Sequence, residues 1–276
     1  MSTTENVTLL ANGRAAKDYW SDFFKHRELL YFLAWRDILV RYKQTLVGAG
    51  WVLIRPLLTM LVFTVVFGRI AGLSSGGLPY SLVVFAGMLP WYFFSNALTD
   101  CSNSLVTNSQ LLSKVYFPRL IVPCSTLLVS LVDFFISGIL LVGMMLWYNH
   151  FPDWRILFLP LFTALAAMFS FGLGLWAAAL NVRYRDFRHL IPFLLQLGIY
   201  VSPVGYSSTL IPEKWRLLYS LNPLVGIIDG FRWCILGSDI QIFWPSVLIS
   251  AAIGLVLLIT GVRYFRKAEA SFADVI

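Results

Sequence analysis

Runs of mainly apolar residues dominate this chain, and a helix needs about 20 such residues to cross the hydrocarbon core of a bilayer. Only 13% of the 276 residues are charged and 58% are hydrophobic, whereas soluble domains carry roughly 25% charged residues. The sequence therefore predicts an all-α integral membrane protein with six transmembrane helices. The fifth run is the shortest. The six runs span residues 51–71, 80–98, 120–148, 156–180, 190–205 and 242–262.

Basic residues are unevenly divided between the two sides that six crossings create. Of the 21 Lys and Arg residues, 16 fall in residues 1–55, the second and fourth connections and the C-terminal tail. Such residues are retained on the cytoplasmic side, so both termini are predicted to be cytoplasmic. The net charge of +7 is thereby explained by membrane orientation and anionic lipids, and nucleic acid is not expected as a partner.

Three regions follow from this topology. Residues 1–50 form a cytoplasmic N-terminus with an amphipathic interface helix, residues 51–262 form the six-span domain, and residues 263–276 form a cytoplasmic tail.

The segment before the first run is aromatic but too charged to span a membrane. At 100° per residue, the aromatic side chains of residues 19–42 gather on one face and most charges lie opposite, which predicts a helix lying in the cytoplasmic interface. Leu29 and Leu33 interrupt the polar face, so a bend or partial burial against another helix is expected. Membrane anchoring and gating both remain open as its role. The residues assigned to this face are Trp20, Phe24, Tyr31 and Trp35.

Motifs for catalysis are absent from the sequence. It contains no GxxxxGK[ST] phosphate loop, no HExxH and no GxSxG, so neither ATP binding of the phosphate-loop type nor these hydrolytic chemistries are expected. The three histidines and three cysteines are scattered and lack metal-ligand spacing. We therefore predict no catalytic residue and no metal site.

Two cytoplasmic connections combine basic and aromatic residues. Residues 104–123 include a short helix that Pro118 should end, and residues 181–192 alternate basic with aromatic side chains. Topological retention explains the positive charge. Docking of a cytoplasmic partner would also explain the aromatic residues.

Residues 206–240 are too polar for a span and too long for a turn. Pro212 suits the first position of one short helix. Asn222 and Pro223 suit the cap and first position of a second helix, which Gly237 would end. The segment is predicted to form either a re-entrant gate or an extracellular cap.

Asp133 lies midway along the third run. An ionised side chain at that depth normally faces protein or water. A structural hydrogen bond or ion pair is expected for it rather than a proton relay.

Eight segments occur in an order that resembles one transporter family. Together they cover nearly the whole chain, and they resemble the membrane (permease) subunit of type-2 ABC exporters, in the bacterial branch that exports O-antigen and related polysaccharides. The segments are RDILVRYKQTLVGAGW, PLLTMLVFTVVFGRIAGL, VFAGMLPWYFF, SNSLVTNSQLLSKVYFPRLIVP, LNVRYRDFRHLIPFLLQ, SPVGY, IPEKWRLLYSLNPLVGIIDGFRW and SFADVI.

The resemblance implies a homodimer in the bacterial inner membrane, paired with two separate ATPase subunits that bind ATP and Mg. No cofactor is expected in this chain itself. The implied substrate is a glycan on a polyprenyl pyrophosphate lipid. The residues implied in ATPase coupling are Lys114, Tyr116, Phe117, Arg119, Arg183, Arg185 and Asp186, and those in the gate are Glu213, Trp215, Asn222, Pro223, Arg232 and Trp233.

Aromatic rings could line a passage for such a polymer, because the faces of sugars stack on them. An ordinary interfacial belt is the competing explanation. Other cargoes for the same machine are teichoic acid, a capsule polymer, or a smaller lipid or drug. A membrane enzyme or scaffold acting on polyprenyl-linked sugars is the alternative from another class. The candidate channel residues are Trp91, Tyr92, Phe93, Tyr200 and Tyr206.

Overall fold

A computed structural model describes residues 16–43, 50–184, 186–237 and 240–269. All regular structure in these ranges is helical, as expected from the apolar runs. The helices are α1 (Ala16–Lys25), α2 (Arg27–Lys43), α3 (Gly50–Phe63), α4 (Tyr80–Thr107), α5 (Ser109–Lys114), α6 (Ile121–Trp147), α7 (Leu159–Arg183), α8 (Phe187–Val201), α9 (Glu213–Tyr219), α10 (Pro223–Leu236) and α11 (Trp244–Glu269). A π-helical turn (Thr64–Ile70) continues α3, and 3-10 turns lie at Trp154–Phe158 and Ser208–Leu210.

Five helical segments are long and apolar enough to cross a bilayer: α3 with its π-helical extension, α4, α6, α7 with the turn before it, and α11. They match the predicted runs at 51–71, 80–98, 120–148, 156–180 and 242–262. The fifth predicted run, residues 190–205, corresponds to α8, whose 15 residues extend about 22 Å at 1.5 Å per residue. That is less than the roughly 30 Å of hydrocarbon, so five of the six predicted spans have a helix of sufficient length.

Helix α8 begins three residues before the predicted run and ends four residues before its end. Ser202, which follows the helix, is extended, with φ −89° and ψ 151°. This conformation is the one favoured by a residue that precedes a proline, here Pro203.

Helix α4 occupies the centre of the bundle. In the most apolar 18-residue stretch of α4, 78% is buried inside the protein, whereas the corresponding stretches of the other four long helices are 11–33% buried. It packs against α6, α7 and α10. A helix that is apolar on all sides is suited to this position, and the N-terminal half of α4, from Leu82 to Trp91, is buried at every residue.

The helices end at two opposite faces of the bundle. At the first, which we call the basic end, Arg36 Nη2 donates to Asn108 Oδ1 at 2.8 Å, and Arg119 N donates to Glu269 Oε1 at 2.8 Å. At the second, which we call the gate end, Tyr80 Oη donates to the Gly205 carbonyl at 2.5 Å. Successive long helices therefore run between these two ends.

The N-terminal segment is bent, as predicted. Helices α1 and α2 meet at His26, and Leu33 on α2 is buried with 1% of its surface exposed. Helix α2 packs against α6 through this side. The aromatic side chains of the predicted interface face point outward, and this exposure suits contact with lipid headgroups. The exposed fractions are 38% for Trp20, 68% for Phe24, 68% for Tyr31 and 49% for Trp35.

Helices α7 and α11 approach closely because glycines face each other. A Cβ on Gly172 would lie 2.6 Å from the backbone nitrogen of Leu258, and one on Gly261 would lie 2.4 Å from the Gly172 carbonyl oxygen. One turn away, the rings of Trp176 and Tyr264 stack with centroids 4.0 Å apart. Small residues permit this backbone contact between membrane helices.

We expect Gly261→Val to lower the melting temperature of the purified protein strongly, because the two helices must separate to admit the side chain. Overpacking of this kind costs about 1–3 kcal/mol or more. Gly143→Val is the matched control, since a Cβ at Gly143 meets no atom within 4 Å. Equal melting temperatures for the two variants, measured by thermal unfolding in detergent, would contradict the close packing of α7 on α11.

Candidate transport cavity and coupling surface

A large cavity, with a volume of about 760 Å³, lies between α3, α4, α6 and α8, with the end of α2 at its rim. Four of the five predicted channel residues border it: Trp91, Tyr92, Phe93 and Tyr200. Trp91 and Phe93 are 4% and 2% exposed, whereas Tyr200 is 60% exposed. Tyr200 therefore presents the most accessible ring of the four. Tyr206 borders a different cavity at the gate end.

Polar groups form the rest of the lining of the large cavity. Tyr92 donates its hydroxyl to Thr59 Oγ1 at 2.8 Å, which fixes its ring across the gap between α4 and α3. Hydroxyl and amide groups beside aromatic rings can bind a polyhydroxylated molecule by hydrogen bonds and stacking together. The polar lining residues are Arg41, Arg55, Thr59, Ser95, Asn96, Thr99, Asp100, Ser130, Asp133, Ser137 and Gln196.

An ionic cluster closes the rim of this cavity near the basic end. Arg41 of α2 donates Nη2 to Asp100 Oδ2 of α4 at 2.7 Å and Nη1 to Asp133 Oδ2 of α6. The Tyr42 hydroxyl donates to the other Asp133 oxygen. The expected ion pair of Asp133 is thus confirmed. Its partner could not be identified from the sequence, because Arg41 and Asp133 are 92 residues apart.

The two short helices predicted after residue 206 are present at the gate end. Asn222 Oδ1 accepts a hydrogen bond from Leu224 N at 3.1 Å, Pro223 begins α10, and Gly237 follows it with a φ of +78°. The predicted cap, first residue and terminator are confirmed. The first of the two helices, α9, begins one residue after Pro212.

Helices α9 and α10 differ in burial. Glu213 and Trp215 on α9 are exposed, whereas α10 is buried along nearly its whole length against α4, α7 and α11. Trp233 is its one partly exposed residue, and the Arg155 guanidinium lies 5.2 Å from the Trp233 ring centroid. Helix α10 is therefore covered by protein, the condition under which a non-spanning segment is stable at membrane depth.

Arg232 was predicted as a gate residue. In the structure it is buried and holds three backbone segments together, a role for which we call it the Arg232 brace. Its side chain is 2% exposed. Nε donates to the Val83 carbonyl at 3.1 Å, Nη1 to the Tyr206 carbonyl at 2.8 Å and Nη2 to the Val204 carbonyl at 2.7 Å. Its guanidinium packs on Gly87, where a Cβ would lie 2.7 Å from Nη2. Arg232 therefore joins α10, α4 and the chain after α8.

The predicted coupling residues lie at the basic end. Lys114, the last residue of α5, and Tyr116, which follows the helix, are exposed. Phe117, also implied in ATPase coupling, is 3% exposed and packs in an apolar cluster with Leu33 and Phe265. Its ring is therefore not accessible to another subunit. Pro118 was expected to end the short helix, and α5 ends earlier, at Lys114.

The second predicted coupling segment is partly described. Arg183, the last residue of α7, and Asp186, just before α8, are both exposed. The Arg183 guanidinium lies 5.4 Å from the centroid of the Tyr184 ring. Arg185 lies outside the described residues.

A contact that the sequence did not predict joins the first predicted coupling segment, residues 114–119, to the end of α11. Arg119 donates Nη1 to the Glu269 carbonyl at 2.7 Å, besides the bond from its backbone nitrogen to the Glu269 carboxylate. Arg266 of α11 lies 4.4 Å from the ring centroid of Tyr19 on α1, which joins these two helices. Burial, then the Glu269 charge, raises the pKa of the Tyr19 phenol. A movement of Arg119 would thus reach both α1 and α11.

Comparison with known proteins agrees with this architecture. The chain is 28% identical over 255 residues to the O-antigen export system permease protein RfbA of Myxococcus xanthus, covering 92% of this chain and 97% of the relative. It is 26% identical to the protein of the same name from Klebsiella pneumoniae, over 90% and 95%. It is 22% identical to the polysialic acid transport protein KpsM of Escherichia coli, over 85% and 91%.

Residues 28–236 match the family of ABC-2 type transporter membrane proteins. Members of this family work with a nucleotide-binding subunit, and ATP hydrolysis belongs to that separate subunit. The chain belongs to the ABC-2 type transporter family, as a membrane-embedded transport permease and not an enzyme.

Proposed function

We propose that this permease exports a glycan carried on a polyprenyl pyrophosphate lipid outward across the bacterial inner membrane. Two copies of the chain pair with two ATPase subunits, which bind ATP and Mg. The observation that carries the proposal is the large cavity, whose lining combines aromatic rings with hydroxyl and amide groups. Relatives that align over nearly the whole chain are O-antigen export system permeases, which supports a polysaccharide as the cargo.

The proposed topology has six crossings with both termini in the cytoplasm. Helix α8 supplies the fifth crossing, and it begins beside Arg183 at the basic end. It ends close to Gly205, whose carbonyl accepts from Tyr80 at the gate end. The concentration of basic residues at the basic end supports the cytoplasmic assignment. Helices α1 and α2 then lie in the cytoplasmic interface.

Stacking in the cavity suits a polymer that must slide. Each sugar presents an apolar ring face and a polar rim, so a series of aromatic rings holds successive sugars similarly and creates no single deep binding site. The polar rim is satisfied by side chains such as Asn96 and Gln196. Pairing of two copies would join two such cavities into a passage.

Coupling to ATP in this proposal begins at the exposed side chains of Lys114 and Tyr116. Displacement of this segment moves Arg119 and, through Glu269, the end of α11. The contact of Arg266 with the Tyr19 ring carries the movement to α1. Movement of α2 against α6 then acts on the Arg41 cluster at the cavity rim. The contacts form a continuous physical path from the coupling surface to the cavity.

Replacement of Tyr200 tests the cavity directly. We expect Tyr200→Ala to lower surface polymer several-fold in cells that depend on this permease, since stacking on an aromatic ring contributes on the order of 1 kcal/mol. Tyr200→Phe should retain most export because the ring remains. Trp147→Ala, which removes an aromatic ring that is 82% exposed and does not border the cavity, is the control. Normal export by Tyr200→Ala would contradict stacking at this position.

A capsule polymer is the second candidate cargo. The relationship to a polysialic acid transport protein favours it. The two cargoes are distinguished by chemical analysis of the polymer that disappears from the cell surface when the gene is deleted.

A further inference from the structure

A second cavity, of about 400 Å³, lies at the gate end between the chain after α3, the start of α4 and residues 205–210, with α10 at its base. We call it the gate-end cavity. Its volume falls within the range of roughly 300–1,000 Å³ that is typical of small-molecule sites. Side chains with hydroxyl or amide groups supply much of its lining. They include Ser74, Ser75, Tyr80, Ser207, Thr209 and Gln241.

A buried carboxylate in this lining lacks a complete set of partners. Asp229 is 3% exposed, and its Oδ2 atom has no hydrogen-bond partner. Ser208 belongs to the same lining. A buried acceptor without a donor costs about 1–3 kcal/mol, and such atoms are rare in folded proteins. A donor supplied by a molecule in the cavity would remove that cost.

The charge of the lining selects the kind of molecule. Arg232 stands beside Asp229 in the same lining, so the two opposite charges offset each other and neither a phosphate nor a cation is favoured. No group of residues suited to a metal ion occurs in the described part of the chain. A neutral ligand rich in hydroxyl groups remains as the best chemical match.

The hydroxyl groups of the lining keep acceptor capacity for such a ligand. Tyr80 donates to the Gly205 carbonyl and Ser75 to the Leu78 carbonyl at 2.5 Å. A hydroxyl that donates once retains lone pairs that accept. The Tyr80 ring adds an apolar surface. Donors from a sugar ring thus find acceptors on several sides of the gate-end cavity.

We propose that the gate-end cavity binds a neutral sugar ring of the exported glycan, with Asp229 accepting hydrogen bonds from the sugar hydroxyls. Arg232 lines the same cavity, so an arriving sugar contacts the segment that Arg232 holds. This inference rests on the proposed function, since it assigns a glycan contact at the opposite end of the bundle from the ATPase surface.

The test uses a cysteine reporter in the full permease–ATPase complex. Ser74→Cys places a thiol at the exposed rim of the gate-end cavity. We expect polymer released from its lipid by mild acid hydrolysis to slow maleimide labelling of this thiol at least twofold, whereas glycerol at equal hydroxyl concentration should not. Asp229→Asn and Gln241→Ala, each in the Ser74→Cys background, should abolish this protection.

Thr163→Val is the control for a lost hydroxyl. Thr163 donates to the Leu159 carbonyl at 2.9 Å and does not border the gate-end cavity, so protection should persist. Gln241 is exposed, which makes its variant informative even if Asp229→Asn fails to fold. Unchanged labelling of the parent protein in the presence of saccharide overturns the proposed site, as does full protection in both variants. If saccharide slows labelling of the Ser74→Cys protein but the permease exports no glycan in cells, the site is supported and the proposed function is refuted.

Discussion

Arg232→Ala should abolish accumulation of the folded permease in the membrane. The substitution removes the donors to the carbonyls of Val204 and Tyr206, which lie outside helices, as well as the bond to Val83. Each buried acceptor left without a donor costs about 1–3 kcal/mol, and Asp229 would lose its neighbouring positive charge. We expect a total loss above about 3 kcal/mol. Size-exclusion profiles of the protein in detergent provide the measurement.

Arg232→Lys is the informative companion. It keeps the charge beside Asp229 but cannot reach three carbonyls with one planar group, so an intermediate yield of folded protein is expected. Arg155→Ala is the control, because Arg155 contacts the same helix through the Trp233 ring and not through backbone carbonyls. A folded, monodisperse Arg232→Ala protein would show that the three bonds contribute little.

Charge reversal at Lys114 is expected to weaken assembly with the ATPase subunit by a factor of 10 or more. Lys114 is exposed at the basic end, and residues that anchor an interface typically cost about 2 kcal/mol or more when lost, which exceeds the 1.4 kcal/mol of a tenfold change. Co-purification of the tagged permease with its ATPase partner measures the effect. Coupled ATPase activity should fall in parallel.

Lys214→Glu is the matched control for that experiment. It reverses a charge on α9 at the gate end, far from the proposed ATPase surface, so assembly should be unaffected. Arg119 is less suitable as a test site, because its bonds to Glu269 also hold the fold. Equal assembly of the Lys114→Glu and Lys214→Glu variants would remove the coupling assignment from this segment.

Features defined by local chemistry were predictable from the sequence. The caps of α10 follow from Asn222, Pro223 and Gly237, whose backbone preferences act within a few residues. The bend near His26 follows from leucines on the polar face of a helix. The long spans follow from the apolar runs, since the bilayer fixes the length of a crossing helix.

Contacts between distant segments were not predictable in the same way. In the sequence, Arg41 is one of many basic residues of the N-terminal segment, yet in the structure it forms ion pairs with both Asp100 and Asp133. Arg232 was assigned to a gate from its position in a motif, and its burial depends on the space above Gly87. The partners in both cases are far apart in the chain, so no periodic pattern or fixed spacing in a single sequence indicates that they meet. An acidic residue inside an apolar run was the one available signal.

The short fifth span illustrates a limit of hydropathy. The apolar composition of residues 190–205 predicts a crossing, but Pro203 sets Ser202 in an extended conformation and α8 ends at Val201. Residue type at the boundary, and not average hydropathy, determines the length of this helix.

Outward export of a lipid-linked glycan is tested most directly by deleting the gene. The measurement is the membrane leaflet on which the polymer then accumulates. The assay digests spheroplasts with an externally added glycosidase that cannot cross the membrane, with detergent-permeabilised spheroplasts as the control. Export by this permease predicts polymer that resists digestion until the membrane is permeabilised. Accumulation of digestible polymer on the outer face of the intact membrane would contradict the account.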